Sequence, residues 1–267
     1  MKRILLLFLV LACCLAACQP KGEAPPARPQ EISVSAAASL TESFTELVRQ
    51  FEVLHPEYKV VLNFAGSQAL AEQINNGAPV DVFVSASQKT MQSVVDANHI
   101  SPDAVQLFLS NVLVVAVPAN NPGQITQLTD LARPGLKLVI AASEVPVGMY
   151  TKEFLLKASG TAGYPSTFSE DVLANVVSYE DNVKSVITKV SLGEADAGIV
   201  YSTDAASSPA GTVQTVAIPA EVNVPASYFI APVTGSKFQA EARTFIEYVL
   251  SDSGQAILSS YGFLTVR

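Results

Sequence analysis

Histidine is scarce. His55 and His99 are the only two in 267 residues. Each falls near an expected helix end, without a partner at a ligating or catalytic spacing, so both read as surface residues. The chain also lacks a Gly-x-Ser-x-Gly elbow, a P-loop and a His-x-x-x-His pair, which argues against the common hydrolase and nucleotide chemistries. Cysteine is nearly as rare: Cys13, Cys14 and Cys18 are the only three, all within the first 18 residues. Charge is sparse at 15%, and 16 basic residues face 24 acidic ones, for a net −8. That deficit of basic residues argues against a nucleic-acid partner. It also means that any anion site must work through local dipoles and not through the overall field.

What is present begins with a targeting segment. Lys2 and Arg3 precede an apolar run from Ile4 to Ala17, too short for the roughly 20 residues that span a bilayer. The run ends Leu15-Ala16-Ala17-Cys18, which resembles a bacterial lipobox. The resemblance implies cleavage before Cys18 and a lipid on its thiol. Cys13 and Cys14 leave with the signal, and no pair remains for a disulfide despite an oxidising compartment. Loss of Lys2 and Arg3 takes the net charge to −10, 14 basic against 24 acidic. Gln19 to Gln30 carries Pro20, Pro25, Pro26 and Pro29 and reads as a tether of up to roughly 40 Å. The expectation is an exported protein held at a membrane face.

From Glu31 the pattern alternates strand and helix. Ile32 and Val34 mark a strand; Leu40, Phe44, Leu47, Val48 and Phe51 mark one face of a helix. Later strands are expected at Lys59–Phe64, Val80–Ser85, Leu113–Val117, Lys137–Ala141, Val176–Tyr179, Ala197–Tyr201, Val213–Ile218 and Ser227–Ile230. Helices are expected from Ser67 to near Gly77, at Gln88–Ala97, at Val147–Ser159, from Val183 to an end at Gly193, at Lys237–Ser251 and at Gly254–Tyr261. Such alternation predicts an α/β protein with mostly parallel sheets, covered on both faces. About half the chain is apolar, enough for two cores. In open sheets of this kind ligands sit at the carboxyl ends of strands, and two such ends facing each other make a cleft.

Five strand–turn–helix stretches share one chemistry. Ser35-Ala36-Ala37-Ala38-Ser39-Leu40-Thr41-Glu42 places small residues at a helix start, with Ser39 and Glu42 reading as an N-cap and capping box. Phe64-Ala65-Gly66-Ser67 repeats the arrangement. Pro146-Val147-Gly148 opens a helix with a free amide at Val147 or Gly148. Glu180-Asp181-Asn182-Val183 gives Asp181 as an N-cap and Val183 as an early amide. Gly198-Ile199-Val200-Tyr201 brings a hydroxyl to a strand end. Each residue also has a plain role: Ser67 can simply cap, Tyr201 can pack, Val147 and Val183 can be core. Together they offer neutral donors and no Arg or Lys at the core of any turn, with Lys184 just after the fourth. A set of donors alone suits a fully deprotonated oxyanion. A protonated phosphate would bring an O–H without an acceptor, at about 1–3 kcal/mol. Donor chemistry does not separate sulfate from molybdate or tungstate; cavity size must.

In order, Ala36-Ala37-Ala38-Ser39-Leu40, Phe64-Ala65-Gly66-Ser67, Gly77-Ala78-Pro79-Val80-Asp81-Val82-Phe83, Val145-Pro146-Val147-Gly148-Met149-Tyr150 and Gly198-Ile199-Val200-Tyr201-Ser202-Thr203-Asp204, with Tyr261-Gly262-Phe263 near the end, resemble the molybdate-binding proteins of bacterial ABC importers. The resemblance implies a type II periplasmic-binding-protein fold, two α/β lobes with a crossed-over hinge. It divides the chain into 1–18 (signal and lipidated Cys18), 19–30 (tether), 31–113 with 222–267 (first lobe) and 114–221 (second lobe). It implies a monomeric, non-enzymatic, membrane-anchored receptor on the periplasmic face. Such a receptor has no resident cofactor and delivers molybdate or tungstate to an inner-membrane permease. The ligating groups would be the hydroxyl and amide of Ser39, the hydroxyl and amide of Ser67, the amides of Val147 and Val183, and the hydroxyl of Tyr201. The same receptor fold holding sulfate or another small anion is the alternative.

Overall fold

The computed structural model describes residues 29–266. The targeting segment, Cys18 and residues 19–28 of the tether lie outside the described residues; Gln30, at the tether's end, is already strand, paired with Tyr58. Among the described residues no helix is long and apolar enough to cross a membrane.

Two sheets carry the fold. The first contains β1 (Gln30–Ala37), β2 (Tyr58–Ala65), β3 (Val82–Ser85), β4 (Gln106–Asn111), β10 (Ala226–Pro232) and β11 (Leu264–Thr265), in the spatial order β11-β4-β10-β3-β1-β2. The second contains β5 (Leu113–Pro118), β6 (Leu138–Ala141), β7 (Val176–Glu180), β8 (Ala197–Tyr201) and β9 (Val213–Ala217), ordered β7-β6-β8-β5-β9. The chain passes between sheets twice, from β4 to β5 through Val112 and from β9 to β10. Leu113 is already in the second sheet, opposite Tyr201. Asn223 ties the two crossings together: its side chain donates to the Leu113 carbonyl at 2.9 Å and accepts the Leu113 N–H at 3.2 Å. Buried backbone at a crossing needs such partners, because an unpaired polar group there would cost about 1–3 kcal/mol.

The expectation of mostly parallel sheets is corrected. Pairs β1–β2, β1–β3, β6–β7 and β6–β8 are parallel, but β3–β10, β4–β10, β4–β11, β5–β8 and β5–β9 are antiparallel. The crossing strands take part in all five antiparallel pairs. A strand that leaves one sheet for the other and a strand that returns run in opposite senses, which accounts for β4–β10 and β5–β9.

The helices pack as their apolar stripes require. In α1 (Thr41–Leu54) Phe44, Leu47 and Phe51 are fully buried, and Phe44 meets Phe108 and Phe245 edge-on at 6.4 Å. The other helices are α2 (Ser67–Asn75), α3 (Gln88–Asp96), α4 (Pro146–Ser159), α5 (Phe168–Ala174), α6 (Val183–Ser191), the short α7 (Ser202–Ala206), α8 (Gln239–Leu250) and α9 (Asp252–Ser260). β4, β11, α5 and α7 are not among the elements expected from the sequence.

Candidate functional site

The carboxyl ends of β1, β2 and β3 in the first sheet and of β8 in the second meet at one small cavity. It is lined by Ala37, Ala38, Ser39, Gly66, Ser67, Ala86, Val145, Pro146, Val147, Asn182, Val183 and Tyr201. Ser39, Ser67, Val147, Val183 and Tyr201, distant in sequence, are thus brought together. All five are buried.

Four helical first turns supply the amides. Ser39 lies in a single 3-10 turn, Ala38–Leu40, that leads into α1; Ser67 opens α2, Val147 follows Pro146 in α4, and Val183 opens α6. At such positions no carbonyl of the same helix stands behind the N–H, and the macrodipole favours negative charge. Pro146 has no N–H to offer, so in α4 the presented amides are those of Val147 and Gly148. Gly148 is required there, since a Cβ would come within 2.0 Å of the Ala142 carbonyl oxygen.

The hydroxyls are set up as donors. Ser67 Oγ accepts the Ala86 N–H at 3.0 Å, which leaves its own hydrogen for a guest. Ser39 Oγ lies 2.9 Å from the Tyr228 hydroxyl; with Tyr228 donating, the Ser39 hydrogen is released toward the cavity in the same way. Tyr201 OH is buried and has no hydrogen-bond partner. Burial raises the pKa of both tyrosines, so each keeps its proton. An unpaired buried hydroxyl costs about 1–3 kcal/mol, and a guest in the cavity would remove that cost.

Two capping expectations are corrected. Ser39 makes no cap and Glu42 does not reach back to it; the turn is capped from Ala37 without a side chain. The Ser39 hydroxyl is engaged with Tyr228 instead, and Glu42 reaches Lys184 Nζ at 2.7 Å. At α6 the N-cap is Asn182, whose side chain accepts the Ser185 N–H at 2.9 Å, and not Asp181. Tyr228, Ala86 and Asn182 are the supporting residues that sequence reasoning missed. Only Asn182, an ordinary N-cap type one residue along, left a readable signal.

No cationic side chain lines the cavity. Lys184 is nearby, but its ammonium is held between Glu42 Oε2 at 2.7 Å and Asp204 Oδ1 at 3.0 Å. Burial pulls the Lys184 pKa down; the two carboxylates outweigh it and the net shift is upward. The free space is about 20 Å³ for the centre of a water-sized sphere; if spherical, that corresponds to a contact radius of about 3 Å. That is the scale of one central atom with four oxygens. A larger groove of about 680 Å³ lies elsewhere, along Glu31, Asp81, His99 and Lys237. Both Asp81 carboxylate oxygens are already paired there, with the Ser33 N–H and Ser236 Oγ.

The family model for bacterial extracellular solute-binding protein matches residues 32–264. The chain belongs to this family. It is 37% identical over 247 residues to the molybdate-binding protein ModA of Mycobacterium tuberculosis, covering 92% of this chain and 88% of that one. It is 33% identical over 239 residues to the molybdate-binding protein ModA of Escherichia coli, covering 87% and 88%. Among solved structures, the periplasmic molybdate-binding protein of Azotobacter vinelandii superposes with a TM-score of 0.74 at 21% identity, covering 88% of this chain and all of that one. The fold is that of the type II periplasmic binding proteins. Family members are solute-binding proteins.

Proposed function

We propose that this chain captures molybdate or tungstate and delivers it to an ABC importer. One observation carries the reading: the buried, unpartnered Tyr201 hydroxyl belongs to a cavity whose small apolar walls also carry the Ser39 and Ser67 hydroxyls and first-turn amides, without a cation. A tetrahedral dianion accepts from every direction, and each such charge-assisted bond is worth roughly 1.5–3 kcal/mol. The ligating groups are the hydroxyls of Ser39, Ser67 and Tyr201 and the amides of Ser39, Ser67, Val147 and Val183. The names of the relatives at 33–37% identity support molybdate as cargo. The chain binds and releases; it has no catalytic role. The lipobox-like Leu15-Ala16-Ala17-Cys18 supports anchoring through Cys18, with the tether letting a monomeric body work beside its permease.

The test is a competition titration by calorimetry. Molybdate and tungstate should bind and displace each other, sulfate should compete weakly, and phosphate should not compete at neutral pH. Ser67→Ala should weaken binding by about 1–3 kcal/mol. Absence of heat with both molybdate and tungstate would end this reading.

A further inference from the structure

Several contacts cross from the first-sheet side to the second-sheet side. Asn111 with Ser202 and Thr203, and Ser227 with Tyr150, do so near the crossings in sequence. Two further sets do so at α6 and the residues before it, outside the ligating groups. In the first, Gln68 Nε2 in α2 donates to the Asp181 carbonyl at 2.8 Å. Asp181 lies between β7 and α6, on the other side of the cleft. This bond passes over Gly66, where a Cβ would sit 2.4 Å from the same carbonyl oxygen. Real Cβ atoms do not approach so closely, so any other residue at 66 pushes the Asp181 backbone away. The Gly66 φ is not in the left-handed region; its lack of a side chain is needed for approach across the cleft and not for its own conformation. In the second, Glu42 in α1 meets Lys184 in α6, and Lys184 is backed by the fully buried Asp204. Lys184 is three-quarters buried as a side chain, so this pair is less screened than a surface ion pair.

We infer that these contacts form a closing seam: Gly66 sets how near the two halves can come, and Gln68–Asp181 and Glu42–Lys184–Asp204 hold them there. The seam sets how long a bound oxyanion stays. The inference rests on the oxyanion reading of the cavity. The physical reason is that a ligand favours closure only by contacts that exist in the closed state. Gln68, Glu42 and Lys184 belong to that state and do not line the cavity, while Gly66 lines it without a side chain, so the seam acts on release more than on capture. Gly66, Gln68 and Lys184 are therefore positioning residues.

The test compares wild type with Gly66→Ala, Gln68→Ala and Lys184→Met, using tungstate as the probe. Calorimetry gives affinity, a chase with excess molybdate gives the dissociation rate, and small-angle scattering gives the radius of gyration with and without tungstate. Gly66→Ala should bind at least about tenfold more weakly, through faster dissociation, and should stay extended when saturated. Gln68→Ala and Lys184→Met should each weaken binding by a smaller factor, again in the dissociation rate. Unchanged dissociation and unchanged compaction in Gly66→Ala and Lys184→Met would overturn the inference. Should Gly66→Ala fail to melt cooperatively, Gln68→Ala and Lys184→Met decide it alone. Failure of the oxyanion reading shows differently, as no heat from wild type with tungstate or molybdate. The seam is then read from ligand-free scattering, where Lys184→Met matching wild type counts against it and a more extended Lys184→Met supports it.

Discussion

Asp204 shows how one buried side chain can be read as a stability term. Burial pushes its carboxyl up to about 6, against the pull of the Lys184 ammonium, and Glu42 adds to the rise. The Tyr201 and Tyr228 hydroxyls, which also feel its charge, stay protonated throughout. An acid with a higher pKa folded than unfolded binds an extra proton in the folded state between the two values. Its stabilising contribution is therefore full below the unfolded value near 3.8 and is lost as pH rises through about 6. The shift corresponds to about 3 kcal/mol. Asp204→Asn is neutral at every pH and lacks this dependence. Denaturant unfolding of both proteins from pH 4 to pH 7 should show the stability difference moving toward Asp204→Asn by up to about 3 kcal/mol. A difference that stays constant with pH would show that Asp204 ionises as freely folded as unfolded.

At the scale of elements, the site is a meeting of helix starts, and its precision depends on how each start is fixed. Asn182 fixes α6 by accepting the Ser185 N–H. Asn182→Ala should cost about 1 kcal/mol in thermal or denaturant unfolding. It should also weaken tungstate binding, because the Val183 amide sits in the turn that frays. Binding left at wild-type strength would mean that the turn is held by its packing alone. The same elements show what a sequence can and cannot disclose. The stripes Leu40–Phe44–Leu47–Phe51 and Val183–Val186–Ile187–Val190 are buried as their spacing requires, because periodicity is local. The destination of the Ser39 hydroxyl was not readable, since its partner Tyr228 is 189 residues away and arrives through the β3–β10 pairing. Asp181 and Asn182 are both good caps by type, and only the backbone conformation at Asn182 selects between them. β4 was hidden for another reason: Gln106, Ser110 and Asn111 interrupt its apolar pattern, and it runs into β5 with Val112 alone between them, so no turn signal marks it off.

For the molecule as a whole, the cavity takes its walls from both sheets, with Ser39 and Ser67 on one side and Val147, Val183 and Tyr201 on the other. A guest there is a cross-link between the halves, and its effect on unfolding should reveal this. A ligand that binds only the folded state, at 100 times its dissociation constant, adds about 2.7 kcal/mol. For a chain of this size each kcal/mol raises the melting temperature by roughly 2–4 °C, so tungstate or molybdate should raise it by roughly 5–10 °C. Phosphate at the same concentration should leave it unchanged. The form of the transition matters as much as its position. The crossings at Val112 and between β9 and β10, bound together by Asn223, already couple the two sheets. With the guest in place, opening of either half loses it, so its binding energy opposes both openings and the whole transition should move together in calorimetric scans. A shift confined to one part of a broadened transition would mean that the anion is held by one half alone, and that the opposite wall of the cavity contributes shape without binding.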